Sequence, residues 1–541
     1  MARILEAARP KPGTPAADRR KWWVLAAMVF GLFMPMLDNL VVNTALPTIR
    51  RELGAGISGL QWIIDAYVLA FASFMLTGGA LGDLYGRKRF FMTGLFVFTM
   101  GSLLCGLSGS TGELVAFRFL QGLGSALLLP GSLSIITATF QGRERGAAIG
   151  IWAAFSALAL AVGPIVGGYL VEHVSWQSIF FVNVPVGAIA FTMTYLVVGE
   201  SRDEHPSRRV DPPGLVTGTA GLFFLVYALI EGNNYGWTDG RILGSFGLAA
   251  VLLAAFFWIE SRAESPMLPL SFFRIRTFAA ANVVAASVFF ALFGTVFFLT
   301  LYFQQVHGYS PLGAGVRLFP FPVMILLLAP VAGRLSDRYG SRWFMTVGPA
   351  LSAIGLALML RTHADSSYFG VIFPSMVVWG AGMALTMAPM TAAVMASVPV
   401  RHAGVASAAT NTSRELGGVF GVALLGAIVT SAFRRGFTGR LVEGGFSSGQ
   451  AAAVVERAGS KAAAGGGSLA TFKSQAPPGT PVAIIERVYQ AAQQAFVHAM
   501  HVGIFVAIGF MVLAAVTAAV FVRSHVGAHD VPSGDGALHV G

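Results

Sequence analysis

Long apolar stretches separated by short polar segments dominate the pattern along the chain. A transmembrane helix needs about 20 mostly apolar residues. Fourteen stretches meet this requirement, at 22–46, 60–80, 90–108, 112–136, 146–170, 178–198, 214–231, 242–259, 277–302, 312–333, 343–361, 366–396, 402–431 and 497–522. They are too long and continuous for the alternating strands of a membrane β-barrel. The pattern therefore predicts an all-α integral membrane protein with 14 transmembrane helices.

Composition supports a membrane protein and excludes several other classes. Hydrophobic residues make up 55% of the 541 positions and charged residues 11%, against about 25% charged residues in soluble domains. So few charges cannot cover a water-facing surface, which excludes a soluble enzyme and a nucleic-acid-binding protein. The single cysteine, Cys105, excludes an intrachain disulfide and a thiol metal cluster. We expect neither a metal nor a cofactor.

The 36 Lys and Arg residues are distributed unevenly among the segments between the apolar stretches. If the N-terminus is cytoplasmic, most of them fall in segments on that same side. Because short cytoplasmic loops carry an excess of Lys and Arg, we expect both termini to be cytoplasmic, in a multi-pass protein of the cytoplasmic (inner) membrane. The net charge of +11 is then a topology signal and indicates no nucleic-acid partner.

A glycine-containing motif occurs twice, each time where a predicted helix meets a polar loop. Gly79–Lys88 and Gly333–Arg342 both match G-x-L-x-D-x-x-G-x-[RK]. The glycines allow close helix approach and a tight turn, and Asp83 can accept hydrogen bonds at a helix N-terminus or pair with Arg87. The motif predicts a cytoplasmic latch between two halves of the bundle, unless its basic residues are only topology signals. The candidate latch residues are Gly79, Asp83, Gly86, Arg87, Lys88, Asp337 and Arg338.

The repeated motif resembles the signature cytoplasmic loop of the major facilitator superfamily. Further matches to this family are Leu37–Pro47 in helix 1, Arg118–Gly124 in helix 4, Gly163–Gly168 in helix 5, Asn183–Gly187 in helix 6 and Asn411–Gly418 in helix 13. Together they are similar to the fourteen-helix EmrB/QacA-type drug:proton antiporters. Leu40 and the pair Gln177-Ser178 depart from the usual pattern of that family. These departures leave the substrate open.

The resemblance implies a division of the chain into two six-helix halves with an inserted central pair. The regions are a cytoplasmic N-terminal tail 1–21, an N-terminal half 22–198, a linker with two extra helices 199–276, a C-terminal half 277–522 and a cytoplasmic tail 523–541. We expect the inserted helices at the periphery of the bundle. Segment 432–496 is rich in Ala, Gly and Ser and predicts a long extracytoplasmic loop with a short amphipathic helix near 481–495. It is either a mobile exterior loop or a cap that gates the substrate.

Ionisable groups within spans are candidate functional residues, because each costs at least ~2.5–3.5 kcal/mol on insertion scales. The resemblance implies that Arg118 in helix 4 takes part in proton coupling. Asp38 in helix 1 is either the carboxylate that carries the proton or a structural carboxylate fixed by Arg or Asn neighbours. Glu415 in helix 13 is either a second protonation site or part of a wall that attracts cations. Asp65 in helix 2 is either an exterior gate or a solvated helix end.

Helix 5 contains several small residues and a proline. Gly163, Gly167 and Gly168 leave a smooth surface for close helix packing, and Pro164 removes a backbone hydrogen bond and bends the helix. Structural packing explains this pattern on its own. A role of these four residues as an antiporter motif is implied only by the resemblance.

These observations predict a proton-coupled secondary active exporter of amphipathic small molecules such as drugs or antibiotics. Its partners are then the substrate, protons and membrane lipid, and we expect a monomer. An exporter of a physiological lipid or natural product is the alternative within transport. A membrane-embedded enzyme or receptor is disfavoured, because the loops contain no nucleotide-binding, metalloprotease or nucleophile-elbow motif.

Overall fold

The computed structural model describes residues 15–523, except 56, 142, 203–210, 264–265, 267, 400–401 and 464–479. Helices form almost all of the described chain. The main ones are α1 Pro15–Leu53, α2 Ile57–Tyr85, α3 Arg87–Leu107, α4 Thr111–Thr139, α5 Arg143–His173, α6 Asn183–Val197, α7 Pro212–Tyr235, α8 Gly240–Glu260, α9 Arg276–Leu301, α10 Pro320–Tyr339, α11 Ser341–Met359, α12 Phe373–Ala396, α13 Ala403–Glu443 and α14 Val482–Phe521. A short helix, Pro311–Leu318, leads into α10, and Ser448–Ala463 follows α13.

Thirteen helices within the described residues are long and apolar enough to cross a membrane. The helix α5 is not among these thirteen, although its 31 residues give it spanning length. These features confirm the prediction of an all-α membrane protein. The helix ends follow local chemistry, since Ser110 and Asp211 cap α4 and α7 through their side-chain oxygens. Each copy of the repeated motif begins in one helix and ends in the next. Gly86 and Gly340, with φ of 121° and 85°, form the breaks between these helices.

The helices form two groups, α1–α6 and α9–α14, which pack against each other mainly through α2 on α13 and α5 on α10. The inserted helices α7 and α8 differ in position. The helix α8 is largely exposed, with Val251 66% and Trp258 58% accessible. In contrast, α7 packs against both α2 and α13. The helix α7 therefore lies alongside the contact between the two groups, and α8 lies outside it.

Segment 432–496 is not a single loop. Residues 432–443 continue α13, and the short helix expected near 481–495 is the beginning of α14. The 41 residues of α13 extend about 60 Å at 1.5 Å per residue, twice the hydrocarbon thickness of about 30 Å. Buried contacts of Phe433, Phe437 and Ala495 stabilise both helices beyond the apolar stretches. The Gly-rich part, 464–479, lies outside the described residues.

Candidate functional site

A buried ion pair joins α1 to α4. The guanidinium of Arg118 donates a hydrogen bond from NH1 to the carboxylate of Asp38, and both side chains are 1% exposed. Arg118 also donates from Nε to the carbonyl of Ile63, at 3.0 Å, and from NH1 to Oε1 of Gln121, at 2.8 Å. The cation is therefore fixed in one orientation by α1, α2 and its own helix.

Neutral side chains complete the surroundings of the ion pair. Gln121 donates from Nε2 to Asp38 Oδ1 at 3.0 Å and to Ser102 Oγ at 3.1 Å. Asn183, from α6, donates to the same two oxygens at 3.4 and 2.9 Å. The ring of Tyr67 lies 4.3 Å from the Arg118 guanidinium carbon. Both carboxylate oxygens of Asp38 thus have donors, in a network enclosed by α1, α2, α3, α4 and α6.

Sequence reasoning found only part of this network. Gln121 and Asn183 stand within motifs of the sequence, but nothing in one helix alone assigns them to Asp38. Ser102 gave no signal beyond being a hydroxyl in an apolar span. Asn and Arg neighbours are expected if Asp38 is a structural carboxylate. A nearby cation and burial are also the features that a proton-binding carboxylate needs.

Asp65 and Glu415 lie outside this network. Glu415 is half-buried on α13, and no described residue donates a hydrogen bond to its carboxylate. Asp65 is half-buried on α2 and faces the inserted helix α7. Thr77 and Thr219 are in contact at 2.7 Å between their hydroxyl oxygens, so the antiparallel register of α2 and α7 places Asp65 opposite Glu231. Glu231 is 3% exposed, and sequence reasoning missed it.

The first copy of the repeated motif joins the two groups of helices at one end of the bundle, named here the motif end. Asp83 accepts a hydrogen bond from the backbone N–H of Val405, in the first turn of α13, at 2.9 Å. Its other oxygen accepts from Nε of Arg87 at 2.8 Å. A Cβ on Gly79 would lie 2.6 Å from the carbonyl oxygen of Gly404, so only glycine allows this approach of α2 to α13.

The second copy makes the corresponding contact between α10 and α5. A Cβ on Gly333 would lie 2.5 Å from the carbonyl oxygen of Gly146, and a Cβ on Gly146 would lie 2.5 Å from Cγ of Asp337. Asp337 is therefore placed against the first turn of α5, as Asp83 is against that of α13. Beside it, Arg145 crosses between the groups and donates to the carbonyl of Met395 at 2.6 Å. Sequence reasoning had treated Arg145 only as a topology charge.

The other basic latch candidates make contacts within their own group of helices. Lys88 donates to the carbonyls of Tyr195 and Val198 at 2.7 and 2.9 Å, at the end of α6. Arg338 is exposed beside the ring of Tyr339. Gly86 supplies the turn, since a Cβ there would lie 2.8 Å from the Glu200 carboxylate. Among the candidate latch residues, the glycines and the two aspartates therefore make the contact between the groups, together with Arg145.

The glycine motif of α5 lies toward the opposite end of the bundle. Gly163 and Gly167 are buried, and α5 continues as one helix through Pro164. A Cβ on Gly168 would lie 3.6 Å from Cβ of Leu312, in the short helix before α10. The two groups of helices thus touch at both ends of α5.

Comparison with known proteins gives a consistent result over most of the chain. The model of the Major Facilitator Superfamily matches residues 28–422. The chain is 37% identical over 415 residues to the multidrug resistance protein Stp of Mycobacterium tuberculosis, covering 76% of this chain and 77% of the relative. It is 37% identical over 420 residues to the tetracenomycin C resistance and export protein of Streptomyces glaucescens, covering 77% and 78%. It is also 38% identical over 408 residues to the methylenomycin A resistance protein of Bacillus subtilis, covering 75% and 87%.

Solved structures give the same fold at low sequence identity. The crystal structure of the human organic anion transporter MFSD10 matches with a TM-score of 0.57 at 12% identity, covering 92% of this chain and all of that one. The proton:xylose symporter XylE matches with a TM-score of 0.55 at 13% identity, covering 75% of this chain and 88% of that one.

Proposed function

The chain belongs to the major facilitator superfamily, and on this premise we propose that it exports amphipathic drugs or antibiotics in exchange for protons. As a member of that family it is a multi-pass membrane transporter of small molecules and not an enzyme. Export of drug-like molecules is supported by relatives named for resistance to antibiotics, including one named for export. Proton exchange is supported by the buried pair of Asp38 and Arg118.

The proposed proton carrier is Asp38. The Arg118 guanidinium pairs with this carboxylate, and contact with a cation favours the charged form of a carboxylate. A shift of α4 against α1 within this half would leave Asp38 beside the neutral amide of Asn183 and without its charged partner, and loss of the cation favours the protonated acid. A cycle of contact and separation would therefore couple proton uptake and release to the change in access.

The proposed conformational change is a rocking of the two six-helix halves. The Asp83–Val405 contact, and the matching position of Asp337 against α5, would close the motif end in one state and separate in the other. In this proposal the motif end is cytoplasmic, both termini are in the cytoplasm, and the protein resides in the cytoplasmic membrane. The extended ends of α13 and α14 then project outside the cell.

Transport by the purified protein in proteoliposomes tests this function. Puromycin and ethidium, with a pH gradient imposed across the membrane, serve as substrates. We expect substrate flux that depends on the gradient and stops when nigericin collapses it. Flux that persists without the gradient would contradict proton exchange, and absence of flux for a panel of amphipathic molecules would contradict drug export.

A further inference from the structure

Arg414 of α13 is a second buried cation, with surroundings unlike those of Arg118. It is 5% exposed. Its NH1 donates to Asn411 Oδ1 at 3.1 Å and its NH2 to Thr391 Oγ1 at 2.5 Å. Among the described residues, its Nε has no hydrogen-bond partner. No carboxylate of the described residues lies within ion-pair distance of this guanidinium. The guanidinium therefore has hydrogen-bond donors without a described acceptor.

Two aromatic rings lie beside the guanidinium of Arg414. Its central carbon is 5.9 Å from the ring centroid of Trp152 and 5.4 Å from that of Phe289. Trp152 belongs to α5 and is fixed there by donating its indole N–H to Ser132 Oγ of α4, at 3.1 Å. The cation and the Trp152 ring are thus held by different halves. A rocking of the halves that separates α5 from α13 would separate these two groups as well.

The depth of Arg414 places it where transporters of this kind bind substrate. Arg414 is eleven residues from the first residue of α13, Ala403, or about 16 Å along the helix. This is roughly half of the hydrocarbon thickness, and substrate sites of secondary transporters lie near the membrane midplane. A buried cation bonded only to neutral oxygens is costly to maintain. A binding function accounts for its presence at this position.

Resting on the proposed export function, we propose that Arg414 binds an anionic oxygen of the substrate. The planar guanidinium suits carboxylate, sulfonate or phenolate groups. Trp152 and Phe289 pack on the flat apolar part of the same molecule. The proposed substrate class is therefore planar aromatic molecules with one acidic group. Glu415 is offset by about 100° around α13, and no ion pair joins its carboxylate to Arg414 among the described residues.

A matched pair of fluorescent probes tests this assignment. The anion 8-anilino-1-naphthalenesulfonate and neutral N-phenyl-1-naphthylamine share an aromatic framework and differ in the sulfonate. Binding is measured to the purified full chain in nanodiscs, with empty nanodiscs subtracted. We expect Arg414→Gln to weaken binding of the anion about tenfold or more and to change binding of the neutral probe less than about twofold. These ratios follow from loss of a charge-assisted hydrogen bond.

The matched control is Arg317→Gln. Arg317 also lies against an aromatic ring, 3.6 Å from the centroid of Tyr309, but it is half-buried and lies at the opposite end of the bundle. This control should leave both affinities unchanged. Equal weakening of both probes by Arg414→Gln, or no weakening of the anion, would overturn the proposal.

A conservative variant covers the case in which Arg414→Gln does not fold. Arg414→Lys keeps the charge but loses the planar fork, so we expect a smaller loss for the anion and none for the neutral probe. Unchanged binding of the anion to this variant would count against the assignment. The binding measurement needs no pH gradient. The Arg414→Gln variant could selectively lose binding of the anionic probe while the parent protein shows no proton-driven flux. This result would contradict proton exchange and support the Arg414 site.

Discussion

Replacement of Asp83 by Asn tests the contact that closes the motif end. Asp83 accepts from the backbone N–H of Val405 across the two halves and from Arg87 within its own half. The pair with Arg87 can persist when the halves separate, so it contributes similarly to both states. Of these two hydrogen bonds, the one from Val405 crosses between the halves, so it contributes to the equilibrium between closed and open motif ends. The substitution Asp83→Asn keeps the shape of the side chain and removes its negative charge.

The size of the effect follows from that single contact. A hydrogen bond to a charged group contributes about 1.5–3 kcal/mol. The amide oxygen of Asn can still accept from this N–H, so the loss is the difference from a neutral hydrogen bond, about 1–1.5 kcal/mol. This difference should raise the ratio of open to closed motif ends roughly 5- to 12-fold, since about 1.4 kcal/mol corresponds to a factor of ten. The glycine contacts of α2 with α13 and of α10 with α5 remain in this variant. The closed state should therefore be weakened and not abolished.

Labelling of a buried cysteine measures this ratio. Ser407 lies on α13 close to Gly404 and is fully buried, so Ser407→Cys in a Cys105→Ala background reacts with a maleimide only when the motif end opens. We expect Asp83→Asn to increase the labelling rate roughly 5- to 12-fold. The matched control is Glu144→Gln at the same end, because Glu144 pairs with Lys21 inside one half at 2.7 Å. An unchanged rate in Asp83→Asn, or an equal increase in the control, would refute the latch.

Two further predictions concern the opposite end and the orientation. Cysteines replacing Gly168 and Leu312 should form a disulfide, because a Cβ at Gly168 lies 3.6 Å from that of Leu312, within the usual range of about 3.5–4.5 Å. The disulfide should block transport until it is reduced. Undiminished transport by the oxidised protein would contradict closure at this end. A cysteine replacing the exposed Ser447 should react with an impermeant maleimide in intact cells. A cysteine replacing the exposed Arg338 should react only after the cells are permeabilised. The reverse pattern of labelling would contradict the proposed topology.

The sequence predicted the architecture well because membrane insertion is a local property. A span is recognised from the length of its own apolar stretch. The family resemblance rested on short motifs, and the match to the superfamily confirmed the membership. The extension of α13 to Glu443 could not be found in this way. It depends on burial of Phe433 and Phe437 in a cluster that includes residues of α14 and of the helix Ser448–Ala463, and the sequence does not specify these partners.

The site was predictable only as a set of isolated charges. Asp38 and Arg118 are conspicuous because charge is rare within spans, and the structure brings them into contact. Asn183 and Ser102 are ordinary polar residues until α6 and α3 are placed beside α1. Arg145 was not predicted as a site residue, because a basic residue at the start of a helix is already explained by the topology rule. The structure shows that it also donates a hydrogen bond across the halves.

The central claim, that Asp38 carries the proton, is tested most directly by Asp38→Asn in inverted membrane vesicles. The amide resembles the protonated acid and cannot release a proton. We expect this variant, at equal protein level, to lose substrate uptake driven by a pH gradient and to retain substrate exchange without a gradient, which also checks that it is folded. Glu415→Gln should have a milder effect. Full gradient-driven uptake by Asp38→Asn would contradict the account, and loss of coupling only in Glu415→Gln would move the proton site to α13.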